Sequence, residues 1–124
     1  MVKITTDLLK KRAEHNEGIL STLEEITLHQ YDIEKIELLG THCKHLKILY
    51  LQNNLIEKIE NLYKLKELEY LSLALNNISK IQGLETCESL NKLDLTLNFI
   101  DIDNFKESIM NLKQNIFLSD LHLT

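Results

Sequence analysis

The chain predicts an α/β solenoid with a curved parallel sheet on its concave side. On the convex side it predicts 3-10 or short helices, and ahead of the first strand a helical cap. Three observations carry this. Leu46, Leu49, Leu51, Ile56, Ile59, Leu62 and Leu65 return 22 residues later as Leu68, Leu71, Leu73, Ile78, Ile81, Leu84 and Cys87. They return again as Leu90, Leu93, Leu95 and Ile100, and asparagine keeps the same register at Asn54, Asn76 and Asn98. A fixed period of the form Leu-x-x-Leu-x-Leu-x-x-Asn-x-Ile marks a leucine-rich repeat, in which each unit buries its apolar side only against its neighbours. The third observation is that residues 1–22 break the period, as a terminal unit should.

That first stretch reads as the cap. Thr5 or Thr6 supplies a helix N-cap, and Asp7 sits in the first turn, where a carboxylate favours the positive end of the helix dipole. Leu8, Leu9 and Ala13 form an apolar stripe, Lys10, Lys11, Arg12 and Glu14 face water, and Gly18 stops the helix. A solenoid leaves its first strand edge bare unless something covers it.

The repeats occupy residues 23–124, starting at Leu23, Leu46, Leu68, Leu90 and Leu118. The first is atypical, with Tyr31 at the asparagine position. In the second and third, the apolar residues after the asparagine recur every three residues, the spacing of a 3-10 turn on the convex side. The fourth is longer. There Phe105, Ile109, Leu112 and Ile116 fall at spacings of four, three and four, predicting an amphipathic α-helix of about two to three turns. Asp103 or Asn104 is its expected N-cap. A fifth strand begins at Leu118, and no C-terminal cap is expected within the chain. Its uncovered edge is a candidate for edge-to-edge self-association.

Strand side chains alternate, so each Leu-x-Leu pair points into the core. The asparagines are structural: their amides are expected to bond backbone groups freed by the turn, in their own and the next repeat.

Composition excludes several classes. The 124 residues suit one domain or a piece of one, and 44% apolar content fits a folded chain. A net charge of −5 argues against a nucleic-acid binder. Proline is absent and glycine occurs 3 times, which leaves no flexible linker. No apolar run approaches the roughly 18 residues that span a bilayer. MVKITTDLLKKRAEHNEG fits neither a secretory signal nor a transit peptide, so a soluble intracellular protein is expected. Cys43 and Cys87 hold equivalent positions two repeats apart, roughly 10 Å by strand spacing, too far for a disulfide. They read as small buried apolar residues.

Chemistry is hard to find. His42, Cys43 and His45 lack the second ligand pair a zinc site needs. DIDNFKESI, with Asp101 and Asp103, lacks the glycine and terminal glutamate of a calcium loop. No phosphate-binding glycine loop or nucleophile elbow occurs. Neither an enzyme nor a cofactor or metal is expected. What remains is the concave face, formed by the third, fifth and seventh residue of each repeat. These are Glu25, Thr27 and His29; Ile48, Tyr50 and Gln52; Tyr70, Ser72 and Ala74; Lys92, Asp94 and Thr96; and finally Asp120 and His122. An aromatic and apolar centre with polar ends has the composition of a protein interface.

Read together, ITTDLLKKRAEHNEG, LEEITLHQYDIEKIE, LKILYLQNNLIEKIENLYKLKELEYLSLALNNI and LNKLDLTLNFI resemble the repeat domain of the tilB/seahorse-type leucine-rich-repeat family of dynein axonemal assembly factors. AEHN at Ala13–Asn16 and LTLNFI at Leu95–Ile100 are the most specific pieces. The resemblance implies cytoplasmic pre-assembly of dynein arms for cilia or flagella, with other assembly factors and chaperone-associated proteins as partners. Three rivals share the repeat: a regulatory subunit of type-1 protein phosphatase, an axonemal dynein light chain, and a spliceosomal repeat protein that pairs with an RNA-binding subunit.

Overall fold

A computed structural model of the chain describes residues 3–124, so the first two positions of the expected cap lie outside the described residues. Five short strands run in chain order through one parallel sheet: β1 (Glu25–Thr27), β2 (Ile48–Tyr50), β3 (Tyr70–Ser72), β4 (Lys92–Asp94) and β5 (Asp120–His122). Equivalent repeat positions pair throughout, Ile26 with Leu49, Leu49 with Leu71, Leu71 with Leu93 and Leu93 with Leu121. A slip of one residue would turn each of these core leucines to water, which pins the register.

The core is the repeat pattern itself. All seven framework positions of the second repeat, Leu46 to Leu65, are at most 1% exposed, and so are their seven counterparts from Leu68 to Cys87. On the convex side these repeats turn through i to i−3 bonds. Leu65 N–H donates to Leu62 O at 3.0 Å and Leu68 N–H to Leu65 O at 3.2 Å, as the three-residue spacing predicts. Gly83 is required there: its φ is +75°, and a Cβ would fall 2.5 Å from Ile59 O.

Regular helix is sparse. Helix α1 (Thr6–Arg12) starts at Thr5, whose Oγ1 accepts the Leu8 N–H at 3.1 Å, and it buries Leu9 and Ala13. A short helix, α2 (Leu39–His42), was not foreseen; it follows Leu38 in the left-handed region and buries Leu39 and Gly40. The 3-10 turn Ile102–Asn104 leads into α3 (Phe105–Met110).

Two expectations about α3 are corrected. The cap is Asp101, whose side chain accepts the Asp103 N–H at 2.9 Å and so starts the 3-10 turn; Asn104 makes no side-chain cap bond. The helix is also shorter than the expected two to three turns: it ends at Met110, and most of the apolar residues at helical spacing stay exposed. Phe105 is 46% exposed, Ile109 37% and Ile116 77%, and only Leu112, at 8%, is buried. The side chains that turn inward are polar. Ser108 Oγ accepts the Ile81 N–H at 2.9 Å, Asn111 Nδ2 donates to Ile81 O, and Asn115 Nδ2 donates to Leu84 O and Cys87 O. Repeat three presents unpaired backbone groups to its neighbour, and hydrogen bonding them outweighs burying another apolar stripe.

The two ends of the sheet differ. At β1 the outward carbonyls are occupied: Arg12 Nε donates to Thr27 O at 2.8 Å, and His15 Nε2 lies 3.1 Å from Glu25 O. At β5, Leu118, Leu121 and Leu123 are only partly buried, whereas their equivalents Leu90, Leu93 and Leu95 are fully buried.

Candidate recognition face

The parallel register sets the concave face in rows. Glu25, Ile48, Tyr70, Lys92 and Asp120 form one row, and Thr27, Tyr50, Ser72, Asp94 and His122 the next. Because Tyr50 pairs with Ser72 and Tyr70 with Ile48, the two tyrosines stand diagonally across β2 and β3. Their rings meet edge to face, with centroids 5.5 Å apart and planes at 83°. Lys92 Nζ lies 5.0 Å from the Tyr70 centroid, a cation–π contact that tethers the lysine to the aromatic pair. Asp94 Oδ1 accepts the Thr96 N–H at 3.0 Å and also the Thr96 hydroxyl. This holds one carboxylate oxygen of Asp94 in place.

The remaining predicted positions divide by exposure. Ile48, Tyr50, Gln52, His29 and Asp94 are half-buried, and Glu25, Asp120 and His122 are exposed. Ser72 is 4% exposed, so it lies in the floor of the face. Just past the paired Thr27 and Tyr50, His29 Nδ1 and Gln52 Oε1 are buried without hydrogen-bond partners among the described residues. The face is thus an ordered aromatic centre between an acidic end and a mixed-charge end.

The asparagines are structural, with one correction. Each ties its own repeat to the preceding repeat, where the next had been expected. Asn54 Oδ1 accepts the Tyr31 and Ile33 N–H groups, both at 3.0 Å, and its Nδ2 donates to Leu28 O and Leu51 O. Asn76 does the same with Ile56 N–H, Leu51 O and Leu73 O. Asn98 does so with Ile78 N–H, Leu73 O and Leu95 O. Tyr31 can replace an asparagine in repeat one because the segment directly before it is helix α1, with no strand turn to latch.

Cys43 and Cys87 are free and buried. Burial pushes the Cys43 thiol up to about 11; burial first, and the nearby Glu85 charge second, push Cys87 up to about 11. Both therefore stay protonated and inert near neutrality. Among the described residues, no group of three His, Cys, Asp or Glu side chains is arranged to hold a metal ion. No helix of the described residues is long and apolar enough to cross a membrane. Two small clefts, of about 340 and 220 Å³, lie beside His15 and Glu24 and beside Gly40 and Tyr63. Neither is on the aromatic face. Sequence reasoning missed Arg12 and His15 as wardens of the β1 edge, because a side chain bonding a distant carbonyl leaves no local pattern.

Strand order, register and the asparagine ladder define a leucine-rich-repeat protein, and residues 21–64 match the family model described as leucine-rich repeats in 2 copies. The chain is 58% identical over 125 residues to dynein axonemal assembly factor 11 of Trypanosoma brucei brucei. That match covers 100% of this chain and 32% of the relative, so the chain spans about a third of the relative's length. It is 63% identical over 68 residues to protein tilB of Drosophila melanogaster, covering 55% of this chain and 17% of tilB. The resemblance to the tilB-type dynein axonemal assembly factors is borne out. Among solved structures, a chain of the Drosophila melanogaster SNF/U2A′ complex superimposes with a TM-score of 0.74 at 26% identity, covering 98% of this chain and 68% of that one. An internalin C2 from Listeria monocytogenes gives 0.69 at 27% identity, covering 82% and 42%.

Proposed function

We propose that this chain is a non-catalytic protein-recognition scaffold that assists the cytoplasmic pre-assembly of axonemal dynein arms for cilia or flagella. The observation that carries this reading is the 58% identity, across the whole chain, to a protein named for dynein axonemal assembly. Identity near 26% to the SNF/U2A′ chain, over a similar span, speaks for the shared solenoid and less for shared partners. In this reading residues 1–22 serve as the cap and residues 23–124 as the repeats. The partners are other dynein assembly factors and chaperone-associated proteins.

The recognition surface in this proposal is the concave face. Tyr50 and Tyr70 are its anchors, because rigid aromatic side chains lose little entropy on binding and cover a large area. Lys92, Asp94 and Gln52 supply polar contacts around them, with Glu25, His29, Ile48, Asp120 and His122 at the margins and Ser72 beneath.

The test is purification of the tagged chain from ciliated cells, scoring cytoplasmic assembly factors against mature axonemal dynein. Enrichment of assembly factors, lost in a folded Tyr50→Ala/Tyr70→Ala variant, is the expected result. Recovery of the phosphatase catalytic subunit alone rejects the proposal.

A further inference from the structure

Strand β3 carries little bulk where its neighbours carry much. In the second row of the concave face Ser72 stands between Tyr50 on β2 and Asp94 on β4. Two residues further along the chain, Ala74 lies between Gln52 and Thr96. Ser72 is 4% exposed and Ala74 half-buried, so the two floor a notch whose walls rise on β2 and β4. Two strand spacings separate those walls, roughly 10 Å between Cα atoms, which is room for one flat side chain. The walls favour a single kind of visitor. Tyr50 presents a ring steadied by its edge-to-face contact with Tyr70. Asp94 presents a carboxylate with Oδ1 fixed by Thr96, and no ion pair among the described residues involves it. Gln52 Oε1 has no hydrogen-bond partner among the described residues, so turning it towards an incoming donor breaks no bond. An aromatic face, a carboxylate and an amide oxygen all attract a cation that carries several N–H donors.

We infer that this notch takes an arginine side chain of the partner, which names the chemistry of the recognition face proposed above and rests on that reading. The guanidinium lies flat against Tyr50 while its edge donates N–H groups to Asp94. Arginine serves both walls at once because its charge is planar, spread out and forked. Lysine is a compact, strongly hydrated charge that reaches one wall or the other. The charge of the face supports this occupant: Glu25, Asp94 and Asp120 are acidic, and Lys92 is the lysine that opposes them. The aromatic pair also shows its affinity for a cation directly, since Lys92 Nζ already lies 5.0 Å from the Tyr70 centroid. At that end Lys92 repels a second cation, so the notch holds one.

Nuclear magnetic resonance titration of the isotope-labelled chain tests this with three blocked peptides, alanine–X–alanine, where X is arginine, lysine or citrulline. Citrulline keeps the shape of arginine and loses its charge. The arginine peptide should shift the amides of Tyr50, Ser72 and Asp94 and bind about fivefold more tightly than either alternative. Asp94→Asn keeps an oxygen for Thr96 and removes the charge, so this variant should lose the preference for arginine over citrulline. Tyr50→Leu keeps an apolar side chain without the ring and should weaken the arginine peptide about fivefold. Amide positions outside the face, unchanged from the parent, report that each variant is folded. Equal affinities for the three peptides, shifts centred away from Ser72, or an undiminished arginine preference in Asp94→Asn would each overturn the inference. The peptides carry no sequence of any assembly factor, so their failure leaves the purification result standing, and a failed purification leaves the arginine preference intact.

Discussion

The side-chain oxygen of Asn76 lies 2.9 Å from the backbone nitrogen of Ile56, twenty positions earlier in the chain. The same amide's nitrogen donates to Leu51 O and Leu73 O, so one side chain bridges two repeats. Asn76→Ala leaves a buried N–H and two carbonyls without this partner. Unsatisfied buried groups cost about 1–3 kcal/mol each when nothing replaces the bond, and partial relaxation suggests a total of about 2–4 kcal/mol. Asn98 makes equivalent bonds but is partly exposed, so water can substitute and Asn98→Ala should cost less. Denaturant titration of both variants checks the ranking; equal losses would contradict it.

Gly83 tests the backbone in the same way. Alanine there meets both a left-handed φ of +75° and a carbonyl oxygen at 2.5 Å. Gly83→Ala is expected to lose about 2 kcal/mol or more, because the clash adds to the ordinary penalty of that conformation. Thermal melting measures it. Gly18, also left-handed but with no contact closer than 4.0 Å, should lose less.

The packing of residues 105–116 can be tested with paired substitutions. Ile116→Ser should change stability by no more than about 0.5 kcal/mol, since the side chain is 77% exposed. Ser108→Leu should destabilise by about 1–3 kcal/mol by removing the acceptor for Ile81 N–H and overfilling a buried position. If the amphipathic stripe were the packed face, the two results would exchange.

Thiol chemistry follows from the raised ionisation of Cys43 and Cys87. Their folded values, about 11, lie above the ordinary value of 9.0, so burial favours the protonated form. Their contribution to stability is complete below pH 9 and is lost as pH rises through 9 towards 11. Alkylation of the native chain at pH 8 should therefore be slow and limited by unfolding. In denaturant both thiols should react at the rate of free cysteine, which mass spectrometry can follow.

How far the sequence predicts the structure depends on the reach of each interaction. Leu49, Leu71 and Leu93 repeat because every internal repeat has the same neighbours, so periodicity reveals their shared burial. The rows of the concave face follow from that register by alternation alone. The segment from Phe105 to Ile116 departs from the expected helix because it meets repeat three, whose free backbone groups select Ser108 and Asn115, while a stripe at helical spacing says only that two faces differ. Arg12 and His15 were invisible for a related reason: they answer carbonyls on β1, fifteen and ten positions away. The T-shaped meeting of Tyr50 and Tyr70 depends on rotamers that strand spacing does not determine.

The backward reach of the asparagines also gives the fold a direction in time. Asn54 secures backbone around Leu28, Asn76 around Leu51, and Asn98 around Leu73, always in the repeat already made. During synthesis from the N-terminus, each repeat leaves the ribosome with its turn unlatched and is fastened when the next one arrives. Consolidation therefore trails translation by one repeat, and the newest turn is always the loose one.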